Sequence, residues 1–174
     1  MYGPALQSYP VSDSREITEH DSSAAHSQLV STGALEYLLF VVGKGLYAID
    51  ILDTFEIARP VRLTRLPHVP VDVLGVMNLR GNIVPVIDLE QRFNGTYTEP
   101  GPDSRIVVVQ HDGRFHGFFV ARVNEVVRLP ADAVEEAGVL SMSERFVRAV
   151  GRHAGRMFLI LSMDTLLTTP ERGD

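Results

Sequence analysis

The side chains that could carry chemistry here are six histidines, an acidic group at Asp50, Asp53 and Glu56, and Arg80, set between two apolar runs. Metal binding and acid–base catalysis need ligands at a spacing that converges on one face, such as HExxH, and no such spacing occurs. His20 and His26 lie in a polar N-terminal stretch, and His68 sits between Pro67 and Pro70. His111 and His116 flank Asp112-Gly113, where a two-residue turn opposes His111 to Arg114 rather than to His116. These read as surface or packing histidines. A regular strand would put Asp50 and Asp53 on opposite faces, which leaves no acid/base pair. GxxxxGKS/T, GxGxxG and GxSxG are all missing, and Gly43-Lys44-Gly45 reads as a hairpin turn. Without cysteine, thiol catalysis, disulfides and thiolate metal sites are excluded. The residues predict no turnover, no metal and no cofactor.

Arg80 points to recognition instead. In Gly75–Phe93, GVMNLRGNIVPVIDLEQRF, the apolar runs Gly75–Leu79 and Ile83–Ile87 flank Arg80-Gly81-Asn82. Glycine supplies the positive φ of a tight reversal, so the segment predicts an antiparallel hairpin with Arg80 at its tip. Asp88 then caps a short helix, Leu89–Phe93. A guanidinium at a tip can make fork-shaped hydrogen bonds to a partner's carboxylates or carbonyls.

The elements that must position this hairpin are short strands. Leu35–Val42, a glycine turn and Leu46–Leu52 read as strand, turn, strand; Thr54–Ala58 follows and Arg59-Pro60 ends it. Arg62–Leu66 is a short extended piece. Polar, Gly/Pro-rich Asn94–Asp103 separates two halves. Arg105–His111 and Arg114–Val120 form a hairpin about Asp112-Gly113, and Val123–Leu129 extends it to Pro130. Asp132–Ala137 predicts one helical turn. Arg145–Arg152 and Arg156–Met163 reverse at His153-Ala154-Gly155, and Met163–Leu167 is a closing turn of helix. Many short strands with close turn signals predict a mainly β protein of small barrels or sandwiches.

Composition narrows the partners. The chain has 174 residues, 45% hydrophobic and 22% charged, with 22 acidic against 16 basic residues and a formal net charge of -6. Nucleic-acid affinity needs a basic surface, so none is expected. Residues 1–33 are rich in Ser, Pro, Gln, Asp and His and predict a disordered tail, with residues 169–174 a frayed C-terminal one. The start has no basic region followed by an apolar run, and no segment approaches the ~20 apolar residues that span a bilayer. A cytoplasmic protein without membrane insertion is expected.

From Leu35 to Leu167 the chain resembles the CheW family, the coupling proteins of bacterial chemosensory arrays. The likeness rests on LEYLLFVVGKGLYAIDI, on Phe55–Ile57, on RLPHVPVDVLGVMNLRGNIVPVIDL, and on RIVVVQHDGRFHGFFV, VNEVVRLP and GRMFLILSMDTLL in that order. The resemblance implies one domain, residues 34–168, made of two five-stranded, SH3-like β-barrel subdomains, about 34–93 and 104–168, with a groove between them. It implies a non-enzymatic, cytoplasmic scaffold, recruited to membrane-associated arrays, that couples chemoreceptor cytoplasmic tips to the regulatory domain of a CheA-like histidine autokinase. Glu56 and Ile57 match the EI bordering the family's receptor groove; Asn78, Arg80 and Gly81 match its NLRG hairpin; Val123 matches a valine facing the same groove. Glu56 could instead pair with Arg80 within the protein, Gly81 could serve only the turn, and Ile57 and Val123 could be core. Rival readings are a CheW-like paralogue serving twitching motility or another output, and a β-barrel small-ligand sensor, which would need an enclosed pocket that such short strands leave little room for.

Overall fold

The computed structural model describes residues 33–138 and 145–168; the N-terminal tail and residues 169–174 lie outside them. Eleven strands are present there: β1 Ala34–Val42, β2 Gly45–Asp50, β3 Thr54–Ala58, β4 Val73–Leu79, β5 Asn82–Asp88, β6 Arg105–His111, β7 Arg114–Val120, β8 Arg122–Pro130, β9 Val134–Glu136, β10 Val147–His153 and β11 Arg156–Leu161. Two short helices, α1 Leu89–Asn94 and α2 Met163–Leu167, follow β5 and β11. The strands build one sheet ordered β8-β1-β2-β11-β10-β9 and another ordered β3-β6-β7-β5-β4.

Turn chemistry sets most of the hairpins. Arg80-Gly81, Asp112-Gly113 and Ala154-Gly155 each place two successive residues at positive φ, the requirement of a type I′ turn, which matches the twist of paired strands. Between β1 and β2 only Gly43 is at positive φ. Asp88 caps α1 by accepting from the N–H groups of Glu90 and Gln91, and it also accepts from the N–H and hydroxyl of Thr98, at 2.9 and 2.7 Å. Because Asp88 and Thr98 are both buried, the Asn94–Asp103 connection is pinned to the helix.

Three layers of apolar side chains hold the sheets. Leu38, Phe40 and Val42 of β1 and Ile49 of β2 meet Val107, Val109, Phe118 and Val120 between the sheets. Tyr37 and Leu39 point the other way, into a cluster with Ala48, Val127, Phe158 and Ile160. Ile106, Val108 and Phe119 likewise turn from the shared core to Met77, Val84 and Val86. A strand covered on both faces needs apolar residues at every position, which explains the unbroken runs YLLF and IVVV.

The sheets do not follow the sequence halves. β1 and β2 pair with β8 and β11, while β6 and β7 pair with β3 and β5. Each sheet draws strands from both residues 34–93 and residues 104–168, and both sheets share the intervening core. Two local expectations also change. β2 stops at Asp50, whose carboxylate accepts from Leu52 N–H at 2.9 Å and caps a 3-10 turn, Ile51–Asp53. The expected helical turn at Asp132–Ala137 is instead a 3-10 turn, Ala131–Ala133, followed by β9, which adds a sixth strand by pairing with β10.

Residues 59–72 run from β3 at one edge of the second sheet to β4 at the other. Thr64 and Val76 exchange both backbone hydrogen bonds on the way, at 2.9 and 2.8 Å. Gly75 permits this approach. Its φ is +149°, and a Cβ there would lie 2.5 Å from the Thr64 carbonyl oxygen, a backbone atom that cannot swing aside. Overpacking plus an unfavourable φ predicts that Gly75→Ala costs about 2–4 kcal/mol. A urea midpoint within error of the wild type would show that the strap moves freely.

Candidate functional site

The β4–β5 tip is built by residues within three positions of one another. Leu79 pairs with Asn82, leaving Arg80-Gly81 as a two-residue turn. The Asn78 side-chain oxygen accepts from Gly81 N–H at 3.0 Å and fixes it. Arg80 takes φ +49°, a conformation that asparagine, aspartate or glycine adopts at less cost. Arginine brings a long cationic side chain to this position.

That side chain returns across the end of the sheet to β3. A terminal nitrogen of Arg80 lies 3.2 Å from Glu56 Oε2, with the arginine side chain 71% exposed and the glutamate 32%. The contact is coulombic, since that oxygen lacks a partner in hydrogen-bond geometry. The guanidinium carbon also stands 5.9 Å from the Phe55 ring centroid, and Phe55 packs edge-on to Phe115 at 4.8 Å. Phe55 reaches this place through a bulge. Thr54 pairs with Val109 and Glu56 with Val108, so Phe55 has no opposing residue, and such an insertion re-aims a side chain. Arg80 is thus steered between a carboxylate and a ring while most of it faces solvent.

Of the residues singled out from sequence, the structure brings together Glu56, Asn78, Arg80 and Gly81. Ile57 and Val123 lie elsewhere. Ile57 pairs with Val107, which faces the shared core, so alternation turns Ile57 toward the side between the sheets. It remains 42% exposed at the edge strand. Val123, opposite Phe40, packs against that same core. Exposed Val126, opposite Leu38, extends that face of β8. Phe55 and Phe115 were not singled out from sequence as site residues. Phe115 reads as ordinary sheet packing, and no letter pattern announces the bulge that turns Phe55.

The other charged residues form supports. Arg92 of α1 donates through Nε to Asp72, ahead of β4, and through a terminal nitrogen to the carbonyl of Leu166 in α2, so one side chain ties both sheets' closing helices. Phe93 beside it stacks with Tyr47 at 5.1 Å and Phe146 at 5.4 Å. His111 at the end of β6 contacts Asp164 of α2 at 2.9 Å. Asp53, which the 3-10 turn brings near Asp50 instead of opposite it, has its pKa raised by burial and then by Asp50. Among the described residues, no group of three His, Asp or Glu is placed to hold a metal ion.

His116 is expected to give the stability a pH dependence. Burial first, then the charges of His111, Arg114 and Arg92, lower its pKa, and its Nδ1 has no hydrogen-bond partner. On acidification below about 6.5 the unfolded chain takes up a proton that the folded one resists, so this residue removes stability as pH falls. Asp53 acts oppositely at lower pH, because the folded state holds its proton more tightly. His116→Gln is expected to flatten the decline between pH 7 and 5 in urea-midpoint measurements; an unchanged slope would exclude His116 as its source.

The fold and site together define a two-sheet β protein with a mostly exposed arginine at one hairpin tip, braced by Glu56 and Phe55. The CheW-like domain model matches residues 36–171. The chain is 33% identical over 150 residues to the chemotaxis protein CheW of Helicobacter pylori, covering 86% of this chain and 91% of that one. It is 30% identical over 138 residues to the chemotaxis protein CheW of Klebsiella aerogenes, covering 78% and 83%. The solved structure of the scaffolding protein TtCheW from Thermoanaerobacter tengcongensis superposes with a TM-score of 0.74 at 30% identity, over 78% of this chain and 94% of that one. The chain belongs to the CheW family. Among the described residues no helix is long and apolar enough to cross a membrane.

Proposed function

We propose that the chain is a non-enzymatic scaffold that couples the cytoplasmic tip of a chemoreceptor to the regulatory domain of a CheA-like histidine autokinase. Arg80 carries this reading: it is a mostly exposed guanidinium, at an unfavourable φ, held by Glu56 and Phe55. Orienting a charge in advance reduces the entropy lost when a partner binds it. Exposed Ile57, with Val123 and Val126 across the shared core, offers apolar surface for a receptor helix, and Arg80 sets its orientation. Outer strand edges serve the kinase domain. Array linkage raises effective concentration, so each contact can be weak. Neither role requires turnover, a metal or a nucleotide.

The test is a pair of titrations of purified protein, one with a receptor cytoplasmic fragment and one with the kinase regulatory domain from the same genome. Saturable binding of each, and a ternary complex in which neither displaces the other, is the expected result. Mutually exclusive binding would defeat the coupling role. Saturable ATP hydrolysis would defeat the non-enzymatic one.

A further inference from the structure

The strap between β3 and β4 repeats in threes. Arg59, Arg62 and Arg65 are all exposed, while Pro60 and Leu63 turn inward, Leu63 against the core of the second sheet. A three-residue period is that of the polyproline II helix, which Pro60, Pro67 and Pro70 favour. No acidic residue lies between Glu56 and Asp72, and Asp72 is paired with Arg92. Val61, Leu66 and Val71 are exposed along the same segment, and Tyr97 donates to the Val71 carbonyl at 2.9 Å, lengthening the apolar fringe. In a chain of net charge -6 this strap concentrates positive charge with open apolar surface. The tip meets β3 at Glu56, and the strap begins three residues further on, at Arg59.

The same chain carries a complement. Asp13, Glu16 and Glu19 repeat at the same three-residue spacing, and residues 1–32 hold four acidic side chains against one arginine, with Val11 and Ile17 nearby in sequence. A polyproline II segment brings like-facing residues round about every 9 Å, so acidic and basic side chains at this spacing can be matched in register. We propose that Asp13–Glu19 docks along strap residues 59–66, its carboxylates facing Arg59 and Arg62. Reach is ample, since the residues from Glu19 to Gly33 span up to about 45 Å when extended, while a domain of this size has a radius of gyration of about 14 Å. Tethering supplies an effective concentration in the millimolar range, enough for exposed charge pairs that are individually weak. Docking of this kind is salt-sensitive, and an acidic partner competes with the tail for the same arginines.

Because the chain has no cysteine, Ser14→Cys accepts a single nitroxide label. At low salt, relaxation enhancement is expected to concentrate on the amides of residues 59 and 61–66, and to fall about threefold or more in 0.5 M NaCl, where screening lengths are only a few ångströms. Arg59→Glu with Arg62→Glu should remove it. So should Asp13→Arg with Glu16→Arg and Glu19→Arg, which alters no described residue, and combining both reversals should restore it. Enhancement that is absent, uniform or centred elsewhere in the wild type would overturn the proposal. So would poly-glutamate binding equally well to the full chain and to one lacking residues 2–28. None of these outcomes depends on a receptor or kinase, so they leave the coupling function to its own test.

Discussion

Arg92→Met should lower stability by about 3–5 kcal/mol, read as a fall in the urea midpoint with an unchanged slope. The arginine and Asp72 side chains are only 10% and 12% exposed, and the guanidinium also serves the Leu166 carbonyl. Removing it strands a carboxylate whose other oxygen, Oδ1, is already without a partner. The cost comes from leaving one charge buried rather than from losing a net attraction. Arg92→Met combined with Asp72→Leu should therefore recover most of the loss. If Arg92→Met alone costs under about 1 kcal/mol, water reaches the pair and the strut between the helices is not a strong one.

The second large effect is on binding. Arg80→Glu is expected to weaken receptor binding by about 2–5 kcal/mol if the guanidinium is desolvated on contact, and to leave kinase binding nearly unchanged. The fold should tolerate it: the arginine side chain is mostly exposed, and ion pairs open to solvent on one side contribute about 0–1 kcal/mol. The geometry also separates two roles. Glu56→Arg with Arg80→Glu keeps the internal pair and moves the cation to β3. Recovery of receptor affinity in the swap would mean that the pair matters as a brace. Continued loss would mean that a guanidinium at the tip touches the receptor. Unaltered affinity in Arg80→Glu would reduce the residue to a solvated turn position.

Hairpins were legible in the sequence because local chemistry decides them. Gly81, Gly113 and Gly155 mark reversals whose strands lie within a residue or two of the expected bounds, and Asp88 caps the helix it precedes. What the letters hid is decided at a distance. LLFV reads as a strand, but not as one covered by different clusters on its two faces, nor as a neighbour of β8. Asp50 resembles a strand residue until its carboxylate is seen capping a 3-10 turn. At the site, Arg80 and its pairing with Glu56 were readable as options from the hairpin and the EI pair. Phe55 was not, because its direction depends on one residue inserted opposite β6. Arg92 and Asp72 gave no signal, standing 20 positions apart on segments whose approach only the fold creates.

The exchange of strands between sequence halves governs how the protein can be made. β2 lies between β1 and β11, and its parallel register sets Tyr47 beside Leu159, residues separated by most of the chain. During synthesis β1 and β2 can form a hairpin, but one covered on neither face is marginal in water. The first sheet is complete only when β11 has left the ribosome. Folding should therefore be late, cooperative and slow for the chain's length, since long loops must close before their contacts form. Until then an apolar strand meant for two cores is exposed to neighbouring nascent chains, and the interval before β11 emerges is when chaperone protection should matter most.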